Sequence, residues 1–266
     1  MALSNPAFSN SPAFNGRSTR ATVPTPSVDD LDALYSRPSA TPADTDRMGY
    51  EDTIVKTVSL FAVLLVTAAI GWFVPALGIV GALVGFVLGL VNSFKKKPSV
   101  ALIVTYAAFE GLFVGGISAL LERSFGGIVV QAVLATLVTV GVVLALFASG
   151  KVRASARATK IFMIAMVSYA VFALVNLGLS AFGVIDGAFG MYSADIPGTN
   201  IPFGVAIGVL AVLLASYSLV LDFDFVQRGV KGGAPRIYGW QAAFGLMVTI
   251  VWLYVEFLRL FAIARD

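Results

Sequence analysis

The sequence predicts an all-α membrane protein with seven transmembrane helices, and three observations support that class. Of the 266 residues, 58% are hydrophobic and only 12% are charged, whereas soluble domains carry about 25% charged residues. The mean hydropathy is +0.89. Seven apolar runs lie at roughly 55–74, 76–94, 100–121, 127–148, 161–183, 202–226 and 239–263. Each is close to the ~20 residues that cross a bilayer as a helix.

The segment before the first run, residues 1–48, is rich in Ser, Thr, Pro, Asn and Asp, with a near-repeat in Asn5-Pro-Ala-Phe8 and Ser11-Pro-Ala-Phe14. It has too little apolar surface for a core, which predicts a disordered tail. No secretory signal peptide is expected, because the segment has no apolar stretch of that kind. Residues 29–35 have the pattern of a short amphipathic turn, although disorder is the preferred reading there. Residues 49–266 are assigned to the seven-helix transmembrane domain. Trp72-Phe-Val-Pro75 marks a tight turn between the first two runs. The second run carries Gly81, Gly85 and Gly89, and the third carries Gly111 and Gly115. Glycines at that spacing let helices approach closely, so they are read as packing positions.

Basic residues set the orientation. Arg17, Arg20, Arg37, Arg47 and Lys56 lie in or just after the tail. Lys95, Lys96 and Lys97 lie in the second loop, Lys151, Arg153, Arg157 and Lys160 in the fourth, and Arg228, Lys231 and Arg236 in the sixth. These are fifteen of the 18 Lys and Arg, all on one side of an alternating seven-span chain. By the positive-inside rule the N-terminus is cytoplasmic and the C-terminus outside. The sequence pI of 9.2 therefore reflects topology, and no nucleic-acid partner is expected; the surroundings are membrane lipid.

The chain has no Cys and no His. That excludes disulfides, Cys/His zinc sites, His-ligated haem and a His general base. A metal would be a hard cation held by oxygen, and no cofactor is expected.

Most acids lie in the tail or the outer loops, among them Glu122, Asp186 and Asp195, or at the terminal Asp266. Four fall inside apolar runs: Glu110, Asp222, Asp224 and Glu256. Carboxylates in hydrocarbon are expensive, so such residues are functional candidates. Asp222 and Asp224 are about 200° apart on a helix and cannot face one cavity. Asp224 is four residues before Arg228 and reads as half of a local ion pair. Asp222 shares its face with Ala215 and Ser218, which suits a polar interior, and reads as functional. Glu256 has Arg259 at i+3, so an internal pair is one reading. Glu110 is a rival partner for Glu256 and Arg259. Two close carboxylates in a low-dielectric site cannot both ionise easily, which makes a pair of them pH-responsive. Deprotonated, a pair attracts a hard cation; protonated, it can hold two helices together.

The last two runs resemble the Bax inhibitor-1 family, in its bacterial branch. Leu253-Tyr-Val-Glu256-Phe-Leu258 is similar to the family's final-helix motif, where the acid is usually Asp. Leu219-Val-Leu-Asp222-Phe is similar to the acid-bearing end of its sixth helix. Residues 47–57, 109–118 and 240–247 fit as well, and the resemblance covers residues 47–264. It implies a seven-helix fold with the last helix central, in the cytoplasmic membrane of a bacterium. It implies a pH-sensitive calcium leak with Asp222 and Glu256 as sensor and as a weak calcium site, calcium being the permeant ion. It also implies a second reading, a non-transporting regulator that binds a membrane protein such as a membrane-anchored protease.

Helix arithmetic constrains the pair. If the last helix starts near Trp240, Glu256 lies about 24 Å in, while Asp222 lies only about 8 Å from the inner end of a helix closing near Gln227. The two meet only if the last helix enters the membrane late or the sixth extends inward. No enzyme is expected: the chain lacks the Gly-x-Gly-Asp motif of intramembrane aspartyl proteases, and the last run lacks a retinal-binding lysine.

Overall fold

A computed structural model describes residues 27–36, 45–185, 189–199 and 201–265. The tail's near-repeat, Arg17, Arg20, Arg37, Asp186 and Asp266 lie outside them. The described residues form eight α-helices: α1 (Val28–Tyr35), α2 (Tyr50–Phe73), α3 (Leu77–Phe94), α4 (Val100–Ser124), α5 (Ile128–Ala148), α6 (Ala156–Ala181), α7 (Phe203–Lys231) and α8 (Tyr238–Ile263). A 3₁₀ turn at Gly190–Ser193 lies between α6 and α7. Helices α2 to α8 are each long and apolar enough to cross a membrane. The seven expected spans are all present, and the protein is an integral multi-pass membrane protein.

Taken by itself, α1 is a helix where the composition favours disorder. Asp29 lies in its first turn, and an acid there stabilises a helix N-terminus. The expected start of the folded domain at residue 49 also moves. Met48 is buried, its N–H donates to the Ala234 carbonyl at 2.7 Å, and the Arg236 N–H donates to the Asp46 carbonyl at 2.9 Å. Asp46 to Met48 therefore pack against the α7–α8 linker and belong to the folded body.

Helix α2 starts five residues before its apolar run. Glu51 and Asp52 fall in its first turn, facing the positive end of the helix dipole. It stops before Pro75, because a proline disfavours helical backbone in the residue ahead of it. The glycines split into two groups. A Cβ on Gly115 would collide with the Ala68 carbonyl of α2, and one on Gly111 with Thr67 and the Leu64 carbonyl. A Cβ on Gly81 would stand 2.6 Å from backbone atoms of Phe109 and Phe113. At these three positions helix backbones touch, as the spacing predicts. Gly85 and Gly89 face the side chains of Glu110 and Tyr106 instead.

Glu122 lies in the last turn of α4 rather than in a loop. Its carboxylate accepts from the N–H groups of Gly127 at 2.6 Å and Val129 at 3.0 Å, which caps the start of α5. Gly127 has φ +80°, a left-handed conformation that glycine adopts without strain.

Helix α8 is the centre of the bundle, as the resemblance implies. It packs on α2, α4, α5 and α7, and half of its most apolar window is buried. Only 6% of the corresponding window of α6 is buried; α6 lies at the edge, against α7 and the 3₁₀ turn.

Candidate functional site

Asp222 points from α7 at a strip of small and hydroxyl-bearing residues on α8. Thr249 Oγ1 donates to Asp222 Oδ2 at 2.6 Å, and Ser218 Oγ lies 3.3 Å from Thr249 Oγ1. Thr249 has one proton and gives it to the carboxylate, so Ser218 is the donor to Thr249 in this state. A Cβ on Gly245 would stand 3.2 Å from Asp222 Oδ1, so glycine there makes room for the carboxyl group between the helices. Thr249 is buried and Asp222 half-buried. Among the described residues no Lys or Arg forms an ion pair with Asp222.

Glu256 has different surroundings. One oxygen accepts from Tyr169 of α6 and from Trp252 Nε1 at 3.0 Å; the other accepts from Arg259. Glu256 is 4% exposed, so both oxygens are satisfied inside a closed cluster. The Arg259 guanidinium also lies 4.3 Å over the Tyr192 ring. The internal pair is the reading that the geometry supports.

The expected pairing of Asp222 with Glu256 is corrected by register. Asp222 meets α8 at Gly245 and Thr249, and Glu256 is seven residues beyond Thr249, about 10 Å along the axis. Helix α8 begins at Tyr238 and α7 runs on to Lys231, and neither boundary brings the two acids level. In this arrangement the two acids do not share one cation, and no three of His, Cys, Asp and Glu come together among the described residues.

Glu110 does not reach Glu256 or Arg259 either, which corrects its expected role as their rival partner. It lies beside Gly85 and Tyr106, in a cavity that α8 closes with Phe244 and Val248. Asp224 pairs with Arg228 at 2.8 Å, as the i,i+4 spacing predicts.

Three groups of contacts are absent from the sequence reading. Thr249 and Gly245 show in the sequence only as a four-residue small and polar spacing in the last run. Tyr169 and Trp252 give no signal, because aromatic residues are ordinary in such runs. The third group joins the start of α2 to the start of α8. Asp52 accepts from Lys56 and from Arg236 Nε at 2.8 Å, and Lys56 donates to the Arg236 carbonyl at 2.8 Å. The Lys56 ammonium also lies 5.7 Å over the Trp240 ring. Lys56 reads in the sequence as a topogenic charge; in the structure it is a buried tether.

Among protein families, the model described as "Bax inhibitor 1 like" matches residues 5–266, nearly the whole chain. A comparison with curated proteins finds no match.

Proposed function

The chain belongs to the Bax inhibitor 1 like family, and from that premise we propose that it is a pH-sensitive cation leak pathway with calcium as the permeant ion. We place it in the cytoplasmic membrane of a bacterium, with the N-terminus cytoplasmic and the C-terminus outside. The observation that supports this reading is Asp222, a carboxyl group within a membrane span that takes a hydrogen bond from the Thr249 hydroxyl and, among the described residues, pairs with no Lys or Arg. Of the two acids that the resemblance assigns, it is the one free to change charge, because Glu256 is tied to Arg259.

The residues suggest how a proton acts. Protonated Asp222 donates to Thr249 and holds α7 against α8. When the proton leaves, the bond reverses and Thr249 donates to the carboxylate. A charge without a counter-ion then remains in a low-dielectric setting, where water or a cation is favoured. Separation of α7 from α8 at this point would admit both. Flux should therefore rise as pH rises through the titration of Asp222.

Calcium flux into liposomes, measured from acid to alkaline pH, tests the assignment. Asp222→Asn keeps a donor for Thr249 and cannot ionise, so flux should be low and independent of pH. Wild-type flux and pH response in that variant would remove Asp222 from the mechanism. The second reading, a non-transporting regulator of another membrane protein such as a membrane-anchored protease, draws support from the exposed apolar surface of α6. Recovery of a stoichiometric membrane partner, with no flux at any pH, would favour it. Neither reading assigns a catalytic residue or a cofactor.

A further inference from the structure

Glu110 opens onto a cavity of about 370 Å³ among α3, α4 and α8. That is within the range of small-ligand sites, roughly 300–1,000 Å³. Among the described residues no Lys or Arg forms an ion pair with this carboxylate. Four aromatic rings line the cavity around it: Phe86 from α3, Tyr106 and Phe113 from α4, and Phe244 from α8. Tyr106 and Phe244 meet edge to face at 5.0 Å and form one wall. The space exists because Gly85 and Gly89 carry no side chain. A Cβ on Gly85 would stand 3.0 Å from Glu110 Oε2, and one on Gly89 3.2 Å from the Tyr106 ring.

These features select a class of ligand. A calcium ion needs six to eight oxygen ligands, and one carboxylate among phenyl rings does not supply them. A single carboxylate in a cavity lined by four aromatic side chains and apolar walls matches an organic ammonium ion. The carboxylate forms the ion pair, the rings attract the cation through their π faces, and the walls take the carbon skeleton. The Asp222 contact uses Gly245 and Thr249 of α8, whereas this cavity uses Phe244 and Val248. Adjacent residues are about 100° apart on the helix, so the two sites face different directions. We propose that the Glu110 cavity binds a small alkyl- or arylammonium ion, at a site separate from Asp222.

Binding of radiolabelled phenethylammonium to the full chain in phosphatidylglycerol nanodiscs, whose lipid carries no ammonium group, tests this. Wild type should show saturable binding. Glu110→Gln should weaken it by about tenfold or more, as expected for loss of a charge-assisted hydrogen bond. Gly85→Ala leaves every charge in place but narrows the cavity, and should weaken it as well. Asp222→Asn should bind as wild type does. Saturable binding that survives both Glu110→Gln and Gly85→Ala, or that is lost equally in Asp222→Asn, overturns the proposal, as does the absence of saturable binding in wild type. Addition of phosphatidylethanolamine separates the sources of the ligand: competition with the probe identifies a lipid amine, and no competition a free ammonium ion.

Discussion

Thr249 has a role that Asp222 alone cannot fill, because it donates to the charged form of the carboxylate. Thr249→Val keeps the shape of the side chain and removes the donor. The ionised state then loses a hydrogen bond of the charged kind, worth roughly 1.5–3 kcal/mol, while the protonated state loses less. Ionisation is harder without the donor, so the pH of half-maximal flux should rise, by about one unit or more. Flux assays in liposomes across pH would show it, and an unchanged midpoint would mean that Thr249 does not gate. Glu256 should behave in the opposite way. Glu256→Gln retains partners for Tyr169 and Trp252 but leaves Arg259 without its counter-charge. Breaking a buried pair costs about 3–5 kcal/mol, so the melting temperature should fall while the pH response of flux persists. Wild-type stability with a lost pH response would return Glu256 to the sensing role.

At the scale of helices, the glycines separate packing from function. Gly115 faces the Ala68 carbonyl, and backbone cannot move aside as a side chain can. Gly115→Ala should therefore force α2 and α4 apart and cost about 1–3 kcal/mol, as overpacking does. Gly89→Ala meets only the flexible edge of Tyr106 and should cost less. Thermal melts of the two variants in detergent compare them directly; equal losses would contradict the split. The same contrast shows what the sequence makes legible. Spans, the α2–α3 turn and the pairs Asp224–Arg228 and Glu256–Arg259 depend on residues within a few positions of each other. They follow from hydropathy and helix periodicity. The contact of Asp222 with Thr249 depends on how far two helices slide past each other, which neither helix encodes alone. Helix arithmetic indicates that Glu256 would miss Asp222 if the last helix began near Trp240, and the start at Tyr238 decides the question. Glu122 lay hidden for a related reason: its partners are the first N–H groups of the next helix, so its role depends on the turn at Gly127.

For the molecule as a whole, the central helix α8 is tethered at its start by a charge cluster that spans most of the sequence. Asp52 is the shared acceptor, taking both Lys56 and Arg236, and Lys56 has only 9% of its side chain exposed. The cluster ties α2 to the linker between the two helices that carry Asp222 and Thr249. Its members are not equivalent. Arg236 is about half exposed, and exposed pairs contribute roughly 0–1 kcal/mol. Asp52→Ala, in contrast, leaves the Lys56 ammonium buried without its carboxylate, with a cost of about 3 kcal/mol or more. Thermal melts should show a fall of about 6 °C or more for Asp52→Ala, at the 2–4 °C per kcal/mol expected for a chain of this size. Arg236→Ala should lose no more than about a third of that. The double variant Asp52→Ala with Lys56→Met should recover most of the loss, because it removes the stranded charge and keeps the apolar stem over Trp240. If the double variant melts no higher than Asp52→Ala alone, the buried ammonium is not what the tether neutralises. The stability would then reside in the bond from Arg236 to Asp52, and Arg236→Ala should prove as damaging as Asp52→Ala.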